Sequence, residues 1–152
     1  MAPRLRAFAE GYRHHPLYEA LRAQGGTVHL VGGSVRDVLL GLPVADHDFT
    51  VRSGALDLAR RAADACGGAY VPLKAERGMA RVVLGDDHID VSDWQGPSLE
   101  ADLQSRDLTI NALALDLPSL WSESPVLVDA CGGLDDLCAG RLRCPTPLVL
   151  DE

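Results

Sequence analysis

The sequence is poor in the features that mark zinc modules and membrane proteins. Its four cysteines form no C-x-x-C pair and have no histidine partners at zinc-ligand spacing, which argues against a zinc knuckle and favours ordinary reduced thiols. The N-terminal stretch has no apolar core of the signal-peptide kind, and no later run approaches the roughly 20 apolar residues that span a membrane. We therefore expect a cytoplasmic protein with no membrane partner. The cysteines are Cys66, Cys131, Cys138 and Cys144.

Positive charge is also scarce. The chain has 14 Lys and Arg against 22 Asp and Glu, which gives a formal charge of −8. Proteins that bind nucleic acid on their own usually carry a basic surplus to hold the phosphates. If this chain acts on nucleic acid, we expect another part of the protein to hold that partner.

The 152 residues, of which 47% are hydrophobic, suffice for one globular domain and one core. Residues 1–26 show loosely helical spacing of apolar side chains and predict one or two packing helices that end at Gly25-Gly26. A strand at 27–31 then runs into Gly32-Gly33. Ser34 is placed to cap a helix that continues through Leu40 and is closed by Gly41.

The rest of the chain alternates short strand and helix patterns, without repeats or a dividing linker. The segment 109–117 is apolar and fits either a helix or a strand. The other predicted elements are a strand at 47–51, a helix at 53–66 started by Ser53, strands from Ala69, Ala80 and His88 with a Gly85-Asp86-Asp87 turn, a helix at 98–104, a strand after Pro125, a helix at 134–139 and a closing strand at 141–144.

A strand that ends in Gly-Gly and feeds a helix directs backbone N–H groups outward at the positive end of that helix. Such a turn is a natural anion site. Taken alone, a Gly-Gly pair before a helix is more often an ordinary tight turn, so the acidic residues that follow decide the interpretation of Gly32-Gly33.

Asp46 and Asp48 are two residues apart and share one face of a strand, while His47 and Phe49 face the other way. Two neighbouring carboxylates repel each other unless a cation lies between them, and oxygen ligands of this kind suit Mg²⁺. The alternative is a solvated acidic turn after Pro43.

Asp90 is the candidate for a third carboxylate. In HIDVS, Ile89 and Val91 would face the core, so that His88, Asp90 and Ser92 share the opposite face. Three carboxylates beside a phosphate-binding turn suit metal-dependent phosphoryl or nucleotidyl transfer. The acidic residues Asp86 and Asp87 fit the turn and Asp93 points with the core side, so none of them is preferred.

Four motifs in order resemble the head domain of class II tRNA nucleotidyltransferases and bacterial poly(A) polymerases, within the polymerase-β-like nucleotidyltransferase superfamily. The resemblance covers about residues 28–143. It implies an α/β fold with a small mixed or antiparallel sheet flanked by helices, in which residues 1–26 form an N-terminal helical segment, 27–145 the head and 146–152 the start of a linker to a neck domain. The motifs are LVGGSVRDVLLG with ADHDFTV, HIDVS, SRDLTINALA and DACGGLDDLCAGRLR.

The resemblance implies a role for each acidic residue of the constellation. Asp46 and Asp48 match the pair that binds Mg²⁺, and Asp90 matches the third carboxylate, which activates the 3′-hydroxyl of an RNA primer.

The nucleotide contacts are implied by the same resemblance. Gly32, Gly33 and Ser34 match residues that hold the triphosphate, and Arg36 and Asp37 complete that motif. For Arg36, an ion pair near Asp37 is an equal alternative to a phosphate contact.

A second segment would touch the sugar and phosphates of the nucleotide through Arg106, Asp107 and Asn111. An Asp and an Asn near a ribose can pair with its 2′-hydroxyl. The alternative for Arg106 and Asp107 is a local ion pair at a helix boundary.

Residues of the last motif are expected to serve the fold. Asp129, Gly132 and Gly133 match a structural turn. Asp135 and Asp136 lie near a helix start, where the helix dipole favours negative charge, so no chemistry is expected of them.

The implied activity is Mg²⁺-dependent, template-independent addition of nucleotides from CTP or ATP to the 3′ end of tRNA. The family's neck, body and tail regions would read the base and hold most of the RNA, and none of their motifs occurs before the chain ends. The alternatives are a head domain that binds nucleotide without independent activity and a structural domain whose acidic pairs are solvated turns.

Three positions depart from the family pattern. Ser105 stands where an Arg is usual and Leu108 where Phe is usual, which suggests weaker phosphate binding. Gln95 stands at another usual Arg, and little room remains for the longer polar loop of the family. A short loop of this kind is associated in the family with enzymes that add only the two C residues, so we expect a CC-adding enzyme. A CCA-adding enzyme or a poly(A) polymerase with a trimmed loop explains the same gap.

Overall fold

The structure is a computed structural model that describes residues 1–146. Most of the predicted linker at 146–152 therefore lies outside the described residues. Within them the chain forms six α-helices, seven strands and two 3₁₀ turns. The helices are α1 (Ala2–Tyr12), α2 (Pro16–Ala23), α3 (Gly33–Leu40), α4 (Ala55–Cys66), α5 (Leu99–Gln104) and α6 (Gly133–Ala139). The strands are β1 (His29–Val31), β2 (Asp48–Val51), β3 (Ala69–Lys74), β4 (Met79–Leu84), β5 (Asp87–Asp93), β6 (Leu113–Asp116) and β7 (Leu127–Asp129). The 3₁₀ turns are Ala75–Arg77 and Thr109–Asn111.

The strands form one sheet in the order β3-β4-β5-β2-β1-β6-β7. Its neighbouring strands pair antiparallel except β2 and β5, which run parallel. This arrangement confirms the expected α/β class and the mixed, mostly antiparallel sheet.

One face of the sheet is covered by helices. Helix α4 packs through Ala55, Ala59 and Ala62, all fully buried, because small side chains let a helix approach a sheet closely. The two N-terminal helices contribute Leu5 of α1 and Leu21 of α2 to the same core, which confirms the packing role expected of them. The alternation predicted for β5 is also confirmed, since Ile89 and Val91 are buried whereas His88, Asp90 and Ser92 are only partly buried.

Two predicted helix caps were wrong for a common reason. Helix α3 starts after Gly32 without a side-chain cap, and Ser34 instead donates its hydroxyl to the Asp46 carbonyl oxygen at 2.7 Å. Helix α4 starts after Gly54 rather than at Ser53, and its first free N–H is satisfied by the carboxylate of Asp93 at 2.8 Å from Ala55 N. In both cases the hydrogen-bond partner lies on a different segment of the chain: Asp46 accepts from Ser34, and Asp93 accepts from Ala55. The local sequence does not reveal such partners.

The ambiguous segment 109–117 divides between two structures, the 3₁₀ turn and strand β6. The predicted closing strand at 141–144 was wrong, because those residues form no sheet pairing. Instead the Arg143 carbonyl accepts a single hydrogen bond from Thr109 N at 2.9 Å.

Asp136 explains why that terminal segment folds back. Its carboxylate is 1% exposed and accepts hydrogen bonds from Thr109 Oγ1 at 2.5 Å and Arg143 Nε at 3.0 Å. Arg141 Nη1 lies 3.4 Å away. The helix dipole is therefore a minor part of the role of Asp136. Asp129 has the expected structural role, since its carboxylate accepts from Gly133 N and Leu134 N.

None of the helices within residues 1–146 is long and apolar enough to cross a membrane.

We expect Asp136→Asn to lower the thermal unfolding midpoint at pH 7, because an amide leaves two guanidinium groups uncompensated. The hydrogen bond from Thr109, and then Arg143, hold the pKa of Asp136 below its ordinary value. A depressed pKa stabilises the fold above the unfolded value of about 4, and this stabilisation is lost as the pH falls through the folded pKa. The difference between wild type and variant should thus shrink in acid. The exposed neighbour Asp135→Asn is the control, and an equal loss there would contradict this account.

Candidate active site

Two aspartates lie side by side where β2 and β5 run parallel. Asp48 is the first residue of β2 and pairs in register with Asp90 of β5. The Asp90 N–H donates to the His47 carbonyl oxygen at 2.9 Å, which fixes the register. Asp46 precedes the strand rather than lying in it, and its side chain is 77% exposed. The prediction that Asp48 and Asp90 lie on neighbouring strands is confirmed. The prediction that Asp46 and Asp48 share one face of a strand was wrong, because Asp46 lies in the loop before β2.

Negative charge is concentrated around Asp48. Burial raises the pKa of its carboxyl group, and the charges of Asp90 and Asp46 raise it further, while Arg106 and Arg81 act in the opposite direction. A carboxylate in such surroundings gains from a nearby cation.

Arg81 neutralises part of this charge and was missed by the sequence analysis. It lies opposite Asp90 in the β4–β5 pairing and donates two hydrogen bonds to that carboxylate, Nε to Oδ1 at 2.7 Å and Nη2 to Oδ2 at 3.0 Å. Such a bidentate pair fixes the orientation of the carboxylate.

Asp46 has a different neighbour. His88 Nε2 lies 3.6 Å from Asp46 Oδ1, too far for a hydrogen bond. Within the part of the chain that the structure describes, no three His, Cys, Asp or Glu side chains converge as a ready-made metal site. The donor chemistry nonetheless fits Mg²⁺, since all three groups are carboxylates and the pKa of Asp48 is raised by the charges of the other two.

The Gly-Gly turn lies beside two guanidinium groups. Gly32 has a φ of 74°, and a Cβ there would lie 3.1 Å from Arg106 Nη1. A Cβ on Gly33 would lie 3.1 Å from Arg36 Nη2. Helix α3 begins at this turn, so its free N–H groups and the two cations together suit an anion such as a phosphate.

The structure joins four of the predicted nucleotide-binding residues in one hydrogen-bonded chain. Arg36 donates from Nε to Asp37 Oδ1 at 2.9 Å and from Nη1 to Asn111 Oδ1 at 2.7 Å. Asn111 Nδ2 in turn donates to Asp107 Oδ1 at 3.2 Å. The ion pair that was the alternative for Arg36 is therefore present, and it orients the guanidinium group over Gly33.

Arg106 does not pair with Asp107, so that alternative was wrong. Its Nη2 donates instead to Asp102 Oδ2 at 3.1 Å, and Asp102 is buried. Arg106 Nε is buried and has no hydrogen-bond partner among residues 1–146. Sequence reasoning missed Asp102, which lies on α5 four residues before Arg106. This i, i+4 spacing is typical of ion pairs on and near helices.

A cavity of about 370 Å³ lies at the side of this site formed by β2, β5 and the end of α5. Asp48, Asp90 and Arg106 line it, together with two positions at which the sequence departs from the family pattern, Gln95 and Ser105. The connection between β5 and α5 comprises only residues 94–98, which agrees with the short loop expected from the sequence.

The family model described as "Poly A polymerase head domain" matches residues 28–96 and 93–143. The chain is 43% identical over 130 residues to a CC-adding tRNA nucleotidyltransferase of Geobacter sulfurreducens, which covers 84% of this chain and 29% of the relative. It is 44% identical over 114 residues to an A-adding tRNA nucleotidyltransferase of Deinococcus radiodurans, which covers 75% of this chain and 24% of the relative. The chain thus spans about a quarter of the length of these curated relatives.

Solved structures agree with the sequence relatives. A Thermotoga maritima CCA-adding enzyme complexed with tRNA superposes with a TM-score of 0.74 at 34% identity, covering 83% of this chain and 30% of that chain. A tRNA nucleotidyltransferase complexed with a primer tRNA and an incoming ATP analogue gives a TM-score of 0.75 at 33% identity, with 89% and 40% covered.

We expect Gly32→Ala to weaken anion binding at the turn. A side chain at this φ and ψ costs about 1–3 kcal/mol of stability, and the added Cβ would press on Arg106. Tripolyphosphate affinity, measured by calorimetry, should fall several-fold. Gly67→Ala is the matched control, because Gly67 also has a positive φ but nothing lies within 4 Å of its Cβ position. Equal loss of affinity in both variants would contradict the assignment of the turn.

Proposed function

The chain belongs to the poly(A) polymerase head domain family, and on that premise we propose that it is the catalytic head of a tRNA nucleotidyltransferase. In the proposed reaction the 3′-hydroxyl oxygen of tRNA forms a bond to the α-phosphorus of CTP or ATP. The bond from that phosphorus to pyrophosphate breaks, and the hydroxyl proton is lost to a base. The observation that carries the proposal is the registered pair of Asp48 and Asp90, which a hydrogen bond from Asp48 N to Ser34 Oγ joins to the turn that begins at Gly32.

The triphosphate is assigned to the turn and its two cations. The guanidinium of Arg106 lies beside Gly32 at the start of α3, and its Nε, which has no hydrogen-bond partner among residues 1–146, can donate to a phosphate oxygen. Arg36 adds a second positive charge at Gly33. Ser34, although expected at the triphosphate, also accepts from Asp48 N at 3.2 Å and so connects the turn to the acidic residues.

Asp90 is assigned to the primer hydroxyl. Its carboxylate faces the cavity with Asp48, and Arg81 holds it in one orientation through two hydrogen bonds. A carboxylate held in this way can orient a hydroxyl and accept its proton.

Asp46 and Asp48, with Asp90, would hold Mg²⁺. When bound, the metal neutralises triphosphate charge and lowers the pKa of the attacking hydroxyl. The support is the carboxylate donor set and the surplus of negative charge around Asp48.

Asp107 and Asn111 are assigned to the ribose. Asp107 is exposed and shares its Oδ1 between Leu108 N and Asn111 Nδ2. Its second oxygen remains available to a 2′-hydroxyl, which would favour ribonucleotides over deoxyribonucleotides.

The finer proposal is that only C residues are added. The five-residue connection between β5 and α5 supports it, whereas CC-adding and A-adding relatives match at similar identity and do not separate the two. A chain extended through the family's neck and body regions, incubated with tRNA that lacks its 3′-CCA, should add two residues with CTP and none with ATP. Addition of A to a tRNA ending in CC would contradict this finer proposal and leave nucleotidyl transfer in place.

The tRNA partner must be held largely by positive charge from outside this chain, whose net charge is −8. We therefore assign nucleotide and metal binding to this chain, and we assign most of the tRNA binding to other parts of a longer protein.

We expect calorimetry to show CTP and ATP binding that requires Mg²⁺ and is abolished in Asp46→Ala/Asp48→Ala. Removing two ligands eliminates the metal that joins the triphosphate to the protein. The exposed pair Asp57→Ala/Asp64→Ala on α4 removes the same charge away from the site and should bind as wild type does. Mg²⁺-dependent binding that persists in the first double variant would contradict the site.

We also expect Ser105→Arg to tighten CTP binding. Ser105 lines the cavity at a position where the family has Arg, and one charge-assisted hydrogen bond to a phosphate is worth up to about tenfold in affinity. Gln104→Arg adds the same charge one residue away, outside the cavity lining, and is the control. Equal gains in both variants would indicate a general charge effect and contradict a phosphate contact at residue 105.

A further inference from the structure

We propose that His47 is a positioning residue whose side chain, held by tyrosines of the N-terminal helices, fixes the carboxylates of the active site. The inference rests on the proposed function, because it concerns how Asp46, Asp48 and Asp90 are held for a divalent cation. It gives α1 and α2 a task at the site in addition to their contribution to the core.

Both ring nitrogens of His47 have a hydroxyl partner. Tyr18 Oη lies 2.6 Å from Nδ1, and Tyr12 Oη lies 3.3 Å from Nε2. His47 is 9% exposed and Tyr18 is 1% exposed, so the shorter of these bonds is shielded from water. A neutral imidazole has one donor and one acceptor, and each hydroxyl can fill either role.

The backbone of His47 is joined to the backbone of all three aspartates. Asp46 and Asp48 are its direct neighbours in the chain, and its carbonyl oxygen accepts the N–H of Asp90 at 2.9 Å. On the other side of the segment, Ser34 Oγ lies between the Asp46 carbonyl oxygen and Asp48 N, at 2.7 and 3.2 Å. The segment 46–48 is thus held from the α3 side by Ser34 and from the α1–α2 side by the tyrosines.

The tyrosines are packed closely against other aromatic rings. Tyr18 is on α2 and meets the ring of Phe49 edge-on, with centroids 5.3 Å apart, and Phe49 is buried in β2. Tyr12 on α1 lies 4.9 Å from the His47 ring, centroid to centroid. Aromatic pairs of this geometry and buried hydrogen bonds hold a side chain in one orientation, which an apolar residue of similar volume does not do.

Two independent hydrogen bonds at the ring therefore determine where the chain passes between the two acidic residues. Partners that orient metal ligands typically affect metal affinity strongly when they are removed. The tyrosine hydroxyls act in this way through the backbone of His47, and neither tyrosine lines the cavity that Asp48 and Asp90 share.

The test is Mn²⁺ binding by the full chain, followed by electron paramagnetic resonance of the free ion, with Tyr18→Phe as the main variant. Phe keeps the aromatic contacts and removes only the hydroxyl, so we expect the Mn²⁺ dissociation constant to rise about tenfold. Tyr70→Phe on β3 removes a hydroxyl far from His47. Leu115→Val destabilises the core on β6, which β1 separates from β2. Both controls should bind Mn²⁺ as wild type does.

The outcomes separate this inference from the proposed function. Absence of Mn²⁺ binding by the wild type would overturn both. Wild-type affinity in a folded Tyr18→Phe chain, or the same loss of affinity in Leu115→Val, would overturn the inference alone.

A second pair of variants tests the ring itself. His47→Asn keeps a polar atom near the position of Nδ1, whereas His47→Leu removes both polar atoms. We expect Asn to retain more Mn²⁺ affinity than Leu, and equal affinity in the two folded variants would also count against the inference.

Discussion

The parallel, in-register pairing of β2 with β5 is the constraint on which the rest of the site depends. It places Asp48 and Asp90 on adjacent strands, whose spacing is about 4.8 Å, so that two like charges lie close together in a partly buried place. Two arginines near the pair reduce this repulsion. Arg81 on β4 binds Asp90, and Arg106 follows α5 in the chain. The positive charges of both arginines counteract part of the rise in the pKa of Asp48. The Gly32 turn lies against the same Arg106, which joins an anion site to a cation site.

Much of this could be predicted from the sequence, because local rules apply to it. The alternation in HIDVS placed Asp90 opposite the core, and Gly32-Gly33 between a strand and a helix marked the turn. Arg81 was also within reach of sequence reasoning. A hairpin turn at Gly85-Asp86 pairs residue 84 with 87, and counting back along the antiparallel register brings Arg81 opposite Asp90.

The remaining features depend on contacts between residues distant in sequence. Ser34 and Ser53 satisfied the local rule for helix caps, yet Ser34 bonds to Asp46 and the N-terminus of α4 uses Asp93. Residues 141–144 have strand-like composition, but the buried carboxylate of Asp136 binds Arg141 and Arg143, and within residues 1–146 no strand pairs with them. The contact of His47 with Tyr18 joins residues 29 apart and leaves no local pattern. Sequence reasoning thus failed chiefly where a polar group bonds to a residue distant in the chain.

The central claim is that Asp48, Asp90 and the Gly32 turn form one site for a divalent cation and a triphosphate. The most direct test is paramagnetic broadening of backbone amide signals by substoichiometric Mn²⁺ in the presence of CTP, measured by nuclear magnetic resonance on the isotope-labelled chain. The account predicts that the amides of Asp48, Asp90 and Gly32 broaden first and together, while those of the exposed acidic residues Asp57 and Asp135 remain sharp. Broadening spread evenly over the exposed carboxylates, with Asp48 and Asp90 unaffected, would contradict it.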